Sequence, residues 1–478
     1  MVPDDLKSAR VVPLYKKNDD TLLNNYRPIS LLISISKVFE KVVFLQLHKY
    51  FKDNNLFYKS QYGFLPEHST ELSCLELIDK ITLDLDNKQT PVAIFMDLSK
   101  AFDTLNHDIL LSKLSYYGIS DIALIWFRSY LTNRSQYVEL NNTCSSTATI
   151  STGVPQGSIL GPLLFLIYIN DIPNSSTTFS FVLYADDTTL YSSIHYMFPS
   201  SSNKYISKTL NDELTKVHNW LCVNKLSLNI EKTKYMIFKL AGKRTPTLNL
   251  NIENTKLEQV REFTFLGIIL DEHLNWHAHV NHISTKISKN CGILNSMKKY
   301  LPFTTLKTLY FSMINPYLQY GILAWGFNNT RLQKLQKRAI RIITNSKYNS
   351  HTEPLFKKTN ILKFEDMFNV SCTKFLYKLL QQNLPAYFRG FDLIPQNSVH
   401  SHLTRENIRY RLNVTRTKKA QNSIRNVLPK FANHLPGCIY NKLFTHSLQG
   451  VSRFSKTYYL DNYSYTCSID NCYICRGA

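Results

Sequence analysis

The chain has 478 residues, 44% hydrophobic and 19% charged, with a formal net charge of +21 and a pI near 9.4. This composition excludes a disordered chain, and the length has room for about three domains of roughly 150 residues. The positive excess points to a polyanionic partner, either nucleic acid or an anionic membrane surface.

The longest apolar run, 159-ILGPLLFLIYI-169, is too short to span a bilayer and contains Gly161 and Pro162. The N-terminal MVPDDLKSAR lacks the apolar core of a signal peptide. Six cysteines stand alone along the chain, as expected of reduced thiols in an intracellular protein. Nucleic acid is therefore the favoured partner, with no membrane.

Residues 24–54 read as a Pro-containing turn followed by a helix, because Ile35, Val38, Phe39, Val42 and Leu45 recur at helical spacing. A second helix starts at the cap-type residues Ser69 and Thr70 and runs to about Asp86. The run 92-VAIFMD-97 is a buried strand ending in an acid. A helix follows from near Asn106 to near Gly118. The turn-rich 152-TGVPQGS-158 leads into an apolar helix. The runs 181-FVLYA-185 and 188-TTLY-191 form a hairpin with Asp186 and Asp187 at its tip. A helix around residues 211–224, a strand 234-KYMIF-238 and a hairpin 263-FTFLGIIL-270 come next. Residues 275–345 are helical in pattern; from about Lys347 periodicity weakens. Strands interleaved with helices, then a helical run, indicate an α+β fold with an antiparallel palm-like sheet and a helical appendage.

The chemistry lies in 95-FMDLSKAFD-103 and 184-YADD-187. Each places an acid at the end of an apolar strand. If those strands are neighbours, Asp97 and Asp186 meet at one sheet edge, where carboxylates repel unless a cation sits between them. Mg²⁺, a hard ion held by one or two carboxylates plus substrate phosphates, suits such a place. Two ions roughly 3.5–4 Å apart can serve an in-line phosphoryl transfer. A lone pair of aspartates would read as a solvated turn; two strand-terminating acids do not.

The ordered stretches 13-PLYKKNDD-20, 25-NYRPISLL-32, 61-QYGFLPEHST-70, 95-FMDLSKAFDTLNHDIL-110, 153-GVPQGSILGPLLF-165, 183-LYADDTTLY-191, 226-LSLNIEKTKYMIF-238 and 265-FLGIILD-271 carry a resemblance. With them the chain closely resembles the reverse transcriptases of non-LTR retrotransposons, the LINE-type elements of the jockey and CR1-like groups, over nearly its whole length. The resemblance implies a right-hand polymerase: fingers and palm over residues 1–271, a helical thumb over 272–345, and a basic C-terminal domain over 346–478. It also implies RNA-directed DNA synthesis, in which dNTPs are added to a primer 3′-hydroxyl on an RNA template with two Mg²⁺ ions (Mn²⁺ able to substitute). The primer would be nicked genomic DNA, and the location nuclear or cytoplasmic.

By the same resemblance, Asp97 and Asp186 are the main metal ligands, Asp187 the third acid and the Leu98 carbonyl a backbone ligand. Phe102 is the aromatic gate that rejects a ribose 2′-hydroxyl by leaving it no room. Gly153, Pro155, Gln156 and Gly157 form the loop beside the incoming base pair, with Tyr184 at the nucleotide site. Arg27, with Lys16 or Lys17, holds the triphosphate, Arg being able to do so bidentately. Lys232, with Lys234 as rival, protonates the leaving pyrophosphate. Phe265, Leu266 and Gly267 form the primer grip.

The segment 331-RLQKLQKRAIRIITNSKY-348 holds six Lys or Arg and no acid. Leu332, Leu335, Ala339 and Ile342 line one helix face, Lys334, Arg338 and Arg341 another. As a thumb helix the basic face would track a nucleic-acid backbone without reading sequence, in a salt-sensitive way. Residues 401–430 hold eight Lys or Arg against Glu406 alone, a tract for RNA or target DNA, or else a disordered tail. His273, His277, His279 and His282 read as a polar helix face rather than a zinc site, with Trp276 and His279 matching a W-x-x-H of the relatives. Cys467, Cys472 and Cys475 are candidate zinc ligands needing a fourth, which Cys438, His434 or His446 could supply.

The relatives carry an upstream endonuclease domain and an N-terminal extension. This chain starts inside the fingers, so nicking of target DNA is not assigned to it. Two rivals stand beside the reverse transcriptase. An RNA-dependent RNA polymerase would usually carry GDD and lack the bulky gate. A remnant that only binds RNA would be consistent with the start of the chain, against the intact palm acids and Gln156.

Overall fold

The computed structural model describes residues 1–16, 19–195, 202–243, 246–327, 329–395 and 409–464. The chain begins with β1 (Ser8–Tyr15), β2 (Tyr26–Leu32), α1 (Ser34–Asp53), α2 (Thr70–Asp86), β3 (Gln89–Met96), β4 (Leu98–Ser99) and α3 (His107–Tyr116). It continues through α4 (Asp121–Leu131), β5 (Arg134–Leu140), β6 (Thr143–Cys144), β7 (Ala148–Ile150), α5 (Leu160–Ile169), β8 (Ser180–Tyr184), β9 (Asp187–His195) and α6 (Ser202–Val223). Short strands follow: β10 (Ser227–Leu228), β11 (Lys234–Ile237), β12 (Asn251–Ile252), β13 (Thr255–Lys256) and β14 (Glu258–Gln259). The hairpin of β15 (Glu262–Phe265) and β16 (Ile268–Asp271) follows, and the elements after it among the described residues are helices.

These elements form two compact units. The first comprises residues 1–69, 92–237 and 245–260, the second 70–91, 238–244 and 261–478. In the first unit the sheet that matters most has strand order β14-β11-β3-β9-β8. β3 is central because its run VAIFM is buried on both faces, which only a strand covered on both sides tolerates. It pairs antiparallel with β11, Phe95 opposite Lys234 and Val92 opposite Ile237. α5 is apolar all round and buried nearly all round, as a helix inside a core must be. A second sheet runs β2-β1-β5-β6, with β7 on β5; β1 is antiparallel to β2 and parallel to β5.

The helix expected from the spacing of Ile35 to Leu45 is present, and its buried face is set by polar contacts. α1 is a helix, but its apolar stripe of Ile35, Val38, Phe39, Val42 and Leu45 is exposed, and it buries Ser36, Glu40, Leu47 and Phe51 instead. The reason is polar. The Glu40 carboxylate accepts from the Tyr130 hydroxyl at 3.0 Å and from the Ile159 amide at 2.6 Å. The second bond supplies an acceptor at the entry to α5, where helix geometry leaves amides without one. Glu40 thereby fixes the rotation of α1.

The second unit gathers α2, the β15–β16 hairpin and the helices α7 (His277–Met297), α8 (Phe303–Met313), α9 (Asn315–Gln319), α10 (Ile322–Trp325) and α11 (Thr330–Ile343). It also holds α12 (Glu353–Thr359), α13 (Phe364–Leu380), α14 (Ala386–Arg389), α15 (Lys418–Gln421), α16 (Ile424–His434), α17 (Gly437–Thr445) and α18 (Leu448–Asp461). The acids of α2 tie this unit together. Glu71 accepts from the Gly321 amide at 2.6 Å. Asp79, buried, accepts from the Arg425 guanidinium and from the Tyr387 hydroxyl, each at 2.8 Å. Asp86 accepts from the Thr417 amide at 2.6 Å and from the Arg416 amide at 3.0 Å.

Candidate active site

β3 ends at Met96, so Asp97 is the first residue beyond the central strand. β8 and β9 pair with Tyr184 opposite Asp187, which leaves Ala185 and Asp186 as a two-residue turn. β9 lies next to β3 in the sheet. The three acids Asp97, Asp186 and Asp187 therefore share one edge of it. Leu98 is buried on β4, which pairs with Leu228 of β10, and the Asp97 carbonyl accepts from the Asn229 amide at 2.8 Å.

The electrostatics of the edge follow from crowding like charges. Burial, then the Asp97 carboxylate, pushes the Asp186 carboxyl above the ordinary carboxylate range; its own backbone amide, Arg27 and Lys16 pull it back. Asp187 is open to solvent on one side, yet crowding by the protein and the charges of Asp186 and Asp97 push its carboxyl up to about 6. Hard oxygen donors that repel one another fit a hard divalent cation. Among the described residues no group of three or more His, Cys, Asp or Glu side chains could hold an ion by itself. A cation here would thus draw on Asp97 and Asp186 and complete its shell from other oxygens.

Around the acids stand the other expected residues. Arg27 on β2 and Lys16 just after β1 are both exposed, and both act electrostatically on Asp186. Lys17 lies outside the described residues. The Lys232 Nζ is 3.3 Å from Asp97 Oδ2, whereas Lys234 on β11 pairs with Glu258 at 2.5 Å. The half-buried ring of Phe102 packs on Phe165, with centroids 4.6 Å apart, and meets Phe64 edge-on. Tyr184 is half-buried. Gln156 Nε2 donates to Asp103 Oδ1 at 2.8 Å, and its carbonyl accepts from the Ser30 amide at 2.9 Å. A Cβ on Gly157 would stand 2.2 Å from the Ser30 carbonyl oxygen, so the loop reaches β2 only as glycine.

In the second unit, Leu266 (φ 44°) and Gly267 (φ 84°) form the tip of the β15–β16 hairpin, both positive as a tight primed turn requires. Phe265 is buried, and the Leu266 carbonyl accepts from the Tyr320 hydroxyl. On α11, Lys334 and Arg338 are exposed. Arg341 is half-buried and donates to the Ser350 carbonyl at 2.8 Å.

The histidines do not make one polar face. His279 is buried against Trp325 and accepts from the Ile269 amide through Nδ1, while His277 and His282 are exposed. Cys467, Cys472 and Cys475 lie outside the described residues, as does the stretch 401–408 of the basic tract. Two groups near the acids were not singled out from sequence. Asp103 orients Gln156, and Gln61 touches the turn of β8 and β9. Asp103 sits inside the quoted FMDLSKAFD and Gln61 heads QYGF, but neither motif shows what its side chain grips.

The reverse transcriptase (RNA-dependent DNA polymerase) family profile matches residues 15–270. The chain belongs to the reverse transcriptase family. Among its curated relatives is the "Probable RNA-directed DNA polymerase from transposon BS" of Drosophila melanogaster, 28% identical over 79% of this chain and 42% of the relative. Another is the RNA-directed DNA polymerase from mobile element jockey of the same species, 25% identical over 79% of this chain and 42% of the relative. The relatives are thus of the non-LTR retrotransposon kind that the motifs indicate. This reverse transcriptase spans 42% of the length of each of those two. A telomerase structure from Candida albicans, in complex with a fragment of telomeric RNA, is also similar, at 12% identity over 75% of this chain and 66% of that one, with a TM-score of 0.43. The α+β right-hand polymerase fold expected from sequence matches the family, and the sheet that carries the acids pairs β3 with β11 and β8 with β9 antiparallel while β11 and β14 run parallel. Reverse transcriptases work with divalent metal ions, in keeping with the donor set at the sheet edge. Among the described residues no helix is long and apolar enough to cross a membrane.

Proposed function

We propose that this protein copies RNA into DNA, adding deoxynucleotides to a primer 3′-hydroxyl, with Mg²⁺ as the working ion and Mn²⁺ able to replace it. The observation that carries the reading is the meeting of Asp97 and Asp186 at one sheet edge with Arg27 and Lys16 acting on the same carboxylate. Acids that gather cations beside cations that gather phosphates make a nucleoside triphosphate site. Two ions bound by Asp97, Asp186, Asp187 and the Leu98 carbonyl would supply activation of the 3′-hydroxyl and charge neutralisation on the leaving pyrophosphate.

The chain's own groups do the rest. Arg27, with Lys16 or Lys17, holds the triphosphate. Phe102, backed by Phe165, presents a ring under the sugar and so disfavours a 2′-hydroxyl. Gln156, oriented by Asp103, and Gly157 contact the nascent base pair, with Tyr184 beside the nucleotide. Lys232 gives its proton to pyrophosphate; Lys234 has Glu258 for a partner instead. The turn at residues 265–267 grips the primer, and Lys334, Arg338 and Arg341 follow the template–primer backbone. Residues 1–271 serve as fingers and palm, 272–345 as thumb and 346–478 as a basic C-terminal domain.

Primer extension on poly(rA)/oligo(dT) with Mg²⁺, offering dTTP or UTP beside an Asp186→Ala control, tests the reading. Extension with dTTP that Asp186→Ala abolishes is expected. Preference for UTP, or template binding without extension, would overturn it.

A further inference from the structure

Residues 60–63 run along the free edge of β8. The Ser60 carbonyl accepts from the Leu183 amide at 2.9 Å, and the Leu183 carbonyl accepts from the Tyr62 amide at 2.7 Å. Gln61 stands opposite Leu183 in parallel pairing. Its side chain, 1% exposed, turns back toward the acid-bearing turn. There Oε1 accepts from the Gly63 amide at 2.8 Å and from the Ala185 amide at 3.2 Å. Two amides converging on one atom require that atom to be the oxygen, which settles the orientation of the side-chain amide.

The Ala185 amide needs such a partner. In a two-residue hairpin turn the ladder closes between the flanking residues, here Tyr184 and Asp187, and offers nothing to the first turn residue. Ala185 is 3% exposed, so solvent does not stand in, and a buried amide without an acceptor is strongly disfavoured. Its φ of 54° is the left-handed conformation that an alanine adopts only when its surroundings enforce it. The enforcement is visible: a Cβ on Gly63 would stand 2.3 Å from the Ala185 nitrogen, so QYGF packs directly on the turn backbone.

We propose that Gln61 is a positioning residue for divalent-ion binding: its side-chain oxygen holds the Ala185 amide and thereby fixes the direction in which Asp186 presents its carboxylate. The proposal rests on the reading of Asp97 and Asp186 as ion ligands. Packing alone does not account for the residue. Gln61 Nε2 has no partner among the described residues, a burden that a methionine of equal length would avoid. What methionine lacks is the acceptor.

The test compares Gln61→Met, which removes the acceptor, with Gln61→Glu, which keeps it. Mn²⁺ binding to the free protein is followed by electron paramagnetic resonance, with Asp186→Ala marking the signal of the site. Steady-state primer extension and thermal melting accompany it. Gln61→Met should lose on the order of 100-fold in kcat, the scale of a misplaced reacting group. It should also need several-fold more Mg²⁺ and bind Mn²⁺ several-fold more weakly, with KM for dTTP nearly unchanged and the melting midpoint lowered by only a few degrees, the cost of one unpaired amide. Gln61→Glu should recover most of the loss.

Wild-type ion binding in Gln61→Met would overturn the proposal. So would equal losses in both variants, or a lowered melting midpoint with Mn²⁺ binding intact. If the wild-type protein does not extend a primer, the polymerase reading fails and the Mn²⁺ comparison alone decides this one. If Gln61→Met does not fold, hydrogen exchange of the wild-type Ala185 amide decides: slow exchange supports the bond, and exchange at the rate of an open turn overturns it.

Discussion

Lowering the pH should weaken the second unit through one residue, His279 on α7. The ring is 2% exposed, lies edge-on to Trp325 at 5.1 Å, and accepts from the Ile269 amide through Nδ1 at 3.3 Å. Burial, and then the neighbouring His282, lower its pKa from 6.5 to about 4. Protonation would also set an N–H against the Ile269 N–H. Above pH 6.5 neither the folded nor the unfolded chain holds the proton, and the group adds no pH dependence. Between 6.5 and 4 the unfolded chain takes up a proton that the folded chain refuses, so stability falls as pH falls, and it levels off below 4. At about 1.4 kcal/mol per unit, the full loss is roughly 3 kcal/mol, of which about 2.5 kcal/mol arrives by pH 4.5. Urea denaturation of the wild type and of His279→Gln, whose amide oxygen accepts without titrating, isolates the term from the carboxylates common to both. The wild type should lose about 2.5 kcal/mol relative to the variant between pH 7 and 4.5. Parallel curves for the two proteins would refute the reasoning.

Three further outcomes are expected. Phe102→Val should lower the preference for dTTP over UTP by about tenfold to a hundredfold in primer extension, the range of steric discrimination by a single side chain; an unchanged ratio would make the ring merely a core residue. Lys232→Ala should slow single-turnover extension by about 100-fold or more, while Lys234→Ala, which loses only the contact to Glu258, should stay within a few fold. Arg425→Met should destabilise the protein by about 3 kcal/mol, because it strips the guanidinium from a buried Asp79. Adding Asp79→Asn should return part of that loss in a denaturant titration.

The palm was legible in the sequence because its signals are local. An all-apolar run ending at Asp97, and two short runs meeting at Asp186–Asp187, need only periodicity and one rule about charged residues to be placed, although the turn falls one residue earlier, at Ala185–Asp186, with Asp187 already in β9. The rim of the site was less legible. β1 and β2 each carry a proline and an arginine and β5 is largely polar, so none reads as a clean strand; they become strands by pairing, β2 and β5 on either side of β1. The stripe on α1 marks the helix but not its buried face. Periodicity identifies a helix, but the face it buries was decided by Glu40, whose partners Tyr130 and Ile159 lie far along the chain. The helices beyond Lys347 were less legible because many are short, and arginine contacts to carbonyls and to Asp79 join the apolar packing there. Gln61 escaped because its partner is a backbone amide, and backbone amides leave no trace in a sequence.

The same arginines change how the net charge should be read. A formal charge of +21 suggests a broad nucleic-acid surface. Yet Arg134 is 1% exposed beneath the Tyr130 ring, and Arg409 donates to the Ala432 and Leu435 carbonyls. Arg416 donates to the Leu85 carbonyl, and Arg425 pairs with Asp79. Three of these four come from the tract that looked, by composition, most like a nucleic-acid tail. Guanidinium groups turned onto carbonyls and carboxylates of the fold, as those of Arg409 and Arg425 are, are not presented to the phosphates of a polyanion. α11 behaves oppositely: it buries Leu332, Gln336, Ala339 and Ile340, and leaves Lys334, Lys337 and Arg338 open. The salt dependence of template–primer affinity should therefore fall by about 0.7–0.9 in logarithmic slope for each α11 cation replaced by Gln. Replacing Arg409 should leave that slope untouched while lowering stability. A common effect of both substitutions on the slope would mean that composition, not placement, governs the interaction.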